Sequence, residues 1–270
     1  MNSPIWKLRD WIDKSKLKLW CLSKNLNAIE YLKANPRIIN WYYLSYNPNA
    51  IELLEANQDK IDWIALSSNP NAIELLKANP EKINWKYLSL NPKAIELLKA
   101  NQDKIDWIKL SKNPNALELL KANPEKIDWD CLSENPNAIE LLKANKNKIN
   151  WRYLSFNPNA IELLKANPDE IAWCYLCLNE NAIKLLEDNQ NEISWCNLCY
   201  NPKAIELLKA NKDKINWDSF SLNPSIFELD YKQMRINFEP LAEEIIKEVM
   251  HPRRVFKNPD YDYLEELFGD

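Results

Sequence analysis

Few residues in this 270-residue chain have the type and spacing to do chemistry, and the cysteines come first. Cys174, Cys177, Cys196 and Cys199 spell C-x2-C-x18-C-x2-C, the bare pattern of a structural zinc site in which four thiolates surround a tetrahedral cation. The same letters, Trp-Cys-x-x-Cys at the start of a helix, suggest a redox centre with a stabilised thiolate. That chemistry normally sits in a βαβ pattern, which this chain lacks. His251 heads HPRRVFK, the one locally basic stretch. A phosphate or partner contact is one meaning, and a helix stop at Pro252 is the meaning adopted. The single glycine, Gly269, is next to last. Phosphate-cradling loops, nucleotide-binding turns and nucleophile elbows need glycine for close backbone approach or positive φ, so none of them can be built. No nucleophile, base or cofactor site stands out, and the expectation is a protein that is not an enzyme.

Composition narrows the class further. The chain is 46% hydrophobic and 27% charged, with a formal net charge of −4, so no overall basic field draws it to nucleic acid or anionic membrane. No apolar run approaches the ~20 residues a membrane helix needs. The start, MNSPIWKLRDWIDK, does not read as a signal peptide, so an intracellular protein is expected. Six cysteines in that setting are thiols or ligands rather than a disulfide framework. Asparagine is the outlier at thirty-six residues. It is the residue that enters left-handed turns where glycine is missing, which predicts frequent turning.

The elements that must position these residues come from a repeat. Tryptophan falls every 22 residues from Trp41 to Trp217, and Leu19 occupies the same slot one unit earlier. Nine full units run from Leu19 to Asn216, and a partial tenth begins at Trp217. A degenerate eleventh is expected in RINFEPLAEEI, where Phe238 and Leu241 keep the spacing of Trp and Leu. In the unit WYYLSYNPNAIELLEANQDKID, residues 41 to 62, Asn47 and Pro48 read as the cap and first residue of one helix, called A here. Asn57 should end it in the left-handed region. Asp62 then caps a second helix, B, that begins at Trp63; this cap slot holds Asn, Asp or Ser in eight of nine Trp units, Ala172 being the exception.

Helices this short are marginal alone and must stack on their neighbours. The fold expected is all-α, an α-solenoid of about ten 22-residue two-helix repeats with N- and C-terminal capping helices. Residues 1–18 form the first cap, opened by a helix at Ser3 and Pro4; residues 19–226 form the array, and residues 227–270 the degenerate repeat and second cap. At the ~8 to 10 Å spacing of packed helices, the array would extend on the order of 90 Å.

The units serve as one another's comparison. On helix B, counting Trp as zero, positions zero, three and four are Trp, Leu and Ser or Cys almost throughout and should face inward. Positions one, two and five vary: Tyr42, Tyr43 and Tyr46 in one unit, Ile64, Ala65 and Ser68 in the next, Arg152, Tyr153 and Phe156 further on. Drift on a solvated face favours polar residues, whereas aromatics and arginine are the favoured anchors at interfaces. The partner-binding residues predicted are Tyr42, Tyr43, Tyr46, Tyr87, Arg152, Tyr153, Phe156, Tyr175 and Tyr200. Helix A instead repeats Glu then Lys three residues later, with Lys184 and Glu187 exchanged together, and reads as a structural surface. The cysteine pairs lie 22 residues apart because everything does, and Cys177 and Cys199 replace the Ser of position four. No cofactor is the reading adopted, with zinc on Cys174, Cys177, Cys196 and Cys199 as its alternative.

The unit LSxNPNAIELLKANPEKIDW, the entry LRDWIDKSKL and the tail VMHPRRVFK together resemble a group of uncharacterised repeat proteins encoded by giant DNA viruses, over nearly the full chain. The resemblance implies an origin and activity in an infected host cell, with its cytoplasm as the location, and no known chemistry. Leu26 and Glu180 in the Pro slots depart from that frame. Function is therefore expected to be a non-catalytic scaffold that binds a protein partner through helix B. The alternatives are a single-stranded RNA-binding helical repeat, disfavoured by net charge and by the lack of Arg rows, and a zinc-stabilised structural repeat.

Overall fold

A computed structural model describes residues 4–249 of the chain. It is an all-α repeat solenoid built on 22-residue units. In unit two, helix B is Trp41–Tyr46 and helix A is Ile51–Glu55. Asn40 caps helix B by accepting the Tyr43 amide at 3.1 Å, and Asp62 does the same for Ala65 at 2.8 Å in unit three. Ala172 and Ser194 make no such bond. Between the helices, Asn47 Oδ1 accepts the Asn49 amide at 3.0 Å, and Pro48–Ala50 makes one 3-10 turn before helix A begins.

Helix A does not end through the left-handed region. Asn57 has φ −139°, and no described residue has positive φ. Its side-chain amide instead reaches back to the Leu53 carbonyl at 2.9 Å. That satisfies one of the free carbonyls of the last turn, so the backbone needs no left-handed residue to do it. Asparagine replaces glycine here by its side chain, not by its φ.

The stacking bonds are equally regular. Asn47 Nδ2 donates to the carbonyls of Ser23 at 3.1 Å and Asn25 at 2.9 Å in the unit before. Ser23 Oγ accepts the Asn40 amide at 2.8 Å, and Asn49 Nδ2 reaches the Leu26 carbonyl at 2.9 Å. These Asn and Ser rows run through the core beside Leu44, Ala50 and Leu54, all buried. Buried polar groups are tolerated because each is paired, and the pairing fixes the register between units.

The array does not extend. Asn25 Nδ2 donates to the carbonyls of Ser221 at 3.4 Å and Asn223 at 2.8 Å, Lys18 N donates to Ser221 Oγ at 2.9 Å, and Asn27 Nδ2 reaches the Pro224 carbonyl at 3.1 Å. The Asn25 bonds are those that the Asn ladder makes at every internal junction, and the Lys18 and Asn27 bonds those of most junctions, here made between the first unit and the last. The segment Leu8–Phe227 is thus a closed ring of ten units.

Its tenth unit is a composite. Trp217–Phe220 supplies helix B, while the connector comes from the other end of the chain: Lys14–Lys16 forms the 3-10 turn that Gln58–Lys60 forms in unit two. Leu17 is buried in the slot of Ile61, and Lys18 fills the cap slot. Arg9 N and Nε donate to the carbonyls of Ile226 at 3.0 Å and Ser225 at 2.7 Å, joining the two parts. The helix expected from Ser3 is absent among the described residues; strand β1 (Trp6–Leu8) pairs with β2 (Phe227–Leu229) instead. An open array needs caps over its end cores, and a closed one has no ends.

Helix B of unit two lies directly against those of unit one (Leu19–Lys24) and unit three (Trp63–Ser67), and no two helices A approach as closely. In a ring of equivalent units, neighbour spacing grows with distance from the axis. Helix B therefore forms the inner layer and helix A the outer. At ~8 to 10 Å between neighbouring axes, ten helices B stand roughly 13 to 16 Å from the ring axis.

Among the described residues, 4–7 and 228–249 belong to a second compact unit. Within it, the Asp230 amide donates to the Ile5 carbonyl at 2.8 Å, and Lys7 pairs with Glu228 at 3.4 Å. Tyr231–Val249 is one helix that passes through Pro240. The expected eleventh repeat is not formed there: Phe238 is 56% exposed, and Asn237, in place to cap a new helix, accepts Gln233 Nε2 at 2.8 Å from the same helix. His251 and the stretch HPRRVFK lie outside the described residues.

Candidate functional site

The varied positions of helix B make one contiguous face because helices B touch. At several junctions position one of a unit meets position two of the next, or position five meets position five. Trp20 packs on Tyr43 with ring centroids 5.2 Å apart, and Cys174 Sγ lies 2.9 Å from Asn197 Nδ2. Lys112 pairs with Glu134 at 2.5 Å. Position two is half-buried or buried between helices, whereas position one is exposed in every unit. Positions three and four, Leu and Ser or Cys, are buried as expected, apart from Trp at position zero, which is only half-buried.

Two aromatic clusters stand on this face. In unit two, Tyr42 meets Tyr43 and Tyr46 edge-on with centroids 5.3 Å apart, and the Tyr42 and Tyr46 hydroxyls share a hydrogen bond of 3.2 Å. Burial, and then the bond from Tyr42, push the Tyr46 hydroxyl pKa up. Lys24 Nζ sits 5.5 Å from the Tyr46 ring centroid. In units seven and eight, the Arg152 guanidinium lies 4.6 Å over the Tyr175 ring, and Tyr153 meets the same ring at 6.2 Å. Units two and seven are five places apart in a ring of ten, so the clusters occupy opposite sides.

Of the residues predicted, then, the structure brings together Tyr42, Tyr43 and Tyr46, and separately Arg152, Tyr153 and Tyr175. Phe156 and Tyr200 are exposed at position five, 38% and 40% respectively, outside those stacks. Tyr87 is half-buried and makes no ring contact with another aromatic among the described residues. Trp20, 47% exposed, belongs to the first cluster and was missed. The signal was available: in unit one the Trp slot holds Leu19, which places Trp20 at position one.

The four cysteines divide by position. Cys177 and Cys199 are buried at position four, where Cys177 Sγ accepts the Ser194 amide at 3.3 Å as a serine would. Burial raises the Cys177 pKa and pushes that of Cys199 up to about 11. Cys174 and Cys196 are exposed at position one. Among the described residues no group of three or more His, Cys, Asp or Glu is arranged to hold a metal ion. On helix A, Lys77 and Glu74 pair at 2.9 Å, as do their counterparts in most units, while the exchanged Lys184 and Glu187 form no ion pair.

Among the described residues no helix is long and apolar enough to cross a membrane. No family model, curated protein or solved structure matches this chain.

Proposed function

We propose that the ring is a non-catalytic scaffold that holds a protein partner on the face formed by helices B. The observation that carries this reading is the contiguity of the varied positions: an invariant polar and apolar frame spends its conserved slots on stacking and leaves one unbroken band of changing side chains. That band concentrates Tyr, Trp and Arg, which pack large rigid area at little entropic cost and anchor interfaces. The clusters on opposite sides suit a polypeptide that reaches across the ring, a host protein if the likeness to viral repeat proteins reflects origin.

The test compares capture from a lysate by the natural chain with capture by a variant carrying Tyr42→Ser, Arg152→Ser, Phe156→Ser and Tyr200→Ser. All four side chains are exposed, so the fold should survive. Loss of a specific captured protein supports the reading, and identical recovery overturns it. Single-stranded RNA is the competing ligand; on the band, Lys86, Lys109 and Arg152 are offset by Asp130 and Asp218, and Lys112 is already paired with Glu134. A mobility shift of RNA at low salt that the same variant loses would transfer the site to RNA.

A further inference from the structure

The tryptophans at position zero form a row of their own, and a lysine from the following connector covers nearly every one. Lys60 Nζ sits 4.8 Å from the Trp41 ring centroid, Lys82 4.4 Å from Trp63, Lys104 4.6 Å from Trp85, Lys126 4.4 Å from Trp107 and Lys148 4.3 Å from Trp129. Lys214 covers Trp195 at 4.3 Å, and Lys16 covers Trp217 at 5.3 Å across the ring closure. Where the tryptophan is replaced by Leu19, the lysine is replaced too, by Ile38. Lysine and indole occur together because the negative face of the ring attracts an ammonium.

Two adjacent units break the rule. Trp151 and Trp173 are retained, but the lysine slot holds Glu170 and Glu192. No cation stands over either indole, and neither glutamate takes part in an ion pair among the described residues. Each of the two units thus has an indole face, which favours a cation, and a carboxylate in the slot from which the sister lysines reach their rings; both indoles are half-buried, as are their sisters that hold an ammonium. Ion pairs and cation–π contacts reinforce each other when one cation serves both groups.

We infer that Trp151 with Glu170 and Trp173 with Glu192 are a pair of docking sites for two cationic side chains, Lys or Arg, of one polypeptide segment. The seven sister tryptophans show, in the same chain, the geometry such a cation adopts. Neighbouring units stand ~8 to 10 Å apart, the reach of residues i and i+3 in a polyproline II segment, which rises ~3.1 Å per residue with about three residues per turn and so presents both side chains on one face. The sites lie at position zero and are independent of the band proposed above, so either reading can fail alone.

The probe is a capped peptide with Lys at its first and fourth positions in a Gly and Ser background, against the same peptide with Gln for Lys. It is titrated into the full chain at low salt while the indole N–H resonances are followed by NMR. The Lys peptide should shift Trp151 and Trp173 selectively. A Glu170→Lys, Glu192→Lys variant, which restores the residue of the sister units and should fold unchanged, should lose affinity by about tenfold or more. A control with the same charge change in other connectors, Glu81→Lys with Glu125→Lys, should keep both the affinity and the two shifts. Shifts spread evenly over all the tryptophans, no binding, or equal loss in both variants would overturn the inference.

Discussion

Asn25 Nδ2 donates to the Asn223 carbonyl at 2.8 Å across 198 residues, the same bond that Asn113 makes to Asn91 at 2.9 Å within the array. The chain's first unit is held to its last as any unit is held to its neighbour.

Equivalence of those two bonds is measurable. Asn25→Ala and Asn113→Ala should each lower stability by about 1 to 3 kcal/mol, since each removes two buried hydrogen bonds and leaves one buried carbonyl, that of Ser221 or Ser89, without its donor. Urea unfolding reads both. In an open array Asn25 would face solvent, and its substitution would cost a small fraction of the Asn113 value; that result would refute closure.

The composite unit is the imperfect one. Trp11 Nε1 is a buried side-chain nitrogen without a hydrogen-bond partner, and its ring lies 5.8 Å from Phe220. Trp11→Phe removes the unpaired donor while keeping an aromatic ring, so stability should be unchanged or rise by up to about 1 kcal/mol. A loss of more than ~2 kcal/mol in thermal melts would mean that the indole fills volume the phenyl cannot.

The way helix A ends separates two roles for asparagine. Asn101 has φ −137° and donates to the Leu97 carbonyl at 3.0 Å. Asn101→Gly should destabilise by roughly 1 kcal/mol, because glycine loses the bond and gains backbone freedom in the unfolded chain. At a left-handed helix end the same change would stabilise.

Thiol ionisation sets a pH dependence. Burial pushes Cys131 and Cys199 up from 9.0 to about 11. The folded state therefore favours the neutral thiol more than the unfolded state does. Stability from this source is fully present below pH 9.0 and falls as pH rises through about 11. Unfolding midpoints between those limits should decline, and Cys131→Ser with Cys199→Ser should flatten the decline. At pH 8 a soluble alkylating reagent should modify Cys174 and Cys196 and leave Cys177 and Cys199 intact; equal labelling of all four would contradict their burial.

Much of this protein was legible in its residues. The two helices of each unit, most caps of helix B, the core leucines and the varied face of helix B follow from local chemistry repeated every 22 residues, whereas helix A begins at Ile51 and not at Pro48, because Pro48–Ala50 forms a 3-10 turn. What Asn57 does was half legible: the residue marks the helix end, but local chemistry allows either φ or the side chain to satisfy the last carbonyl, and here the side chain does so on Leu53. The segment from Leu8 to Lys18 reads in sequence as part of a cap because its match to a connector is confined to Lys16, Leu17 and Lys18 and makes sense only against Trp217, at the far end of the chain.

By itself, then, the sequence determined the unit and its two helices, while the bonds by which Asn47 and its counterparts join one unit to the next appear only once the units are stacked. Only the tertiary structure decided that ten of them close. Closure depends on the angle between successive units, which is the small difference in spacing between the inner row of helices B and the outer row of helices A. No single residue carries that angle; it accumulates over the whole array, and with ten units the accumulated turn brings Asn25 to Asn223.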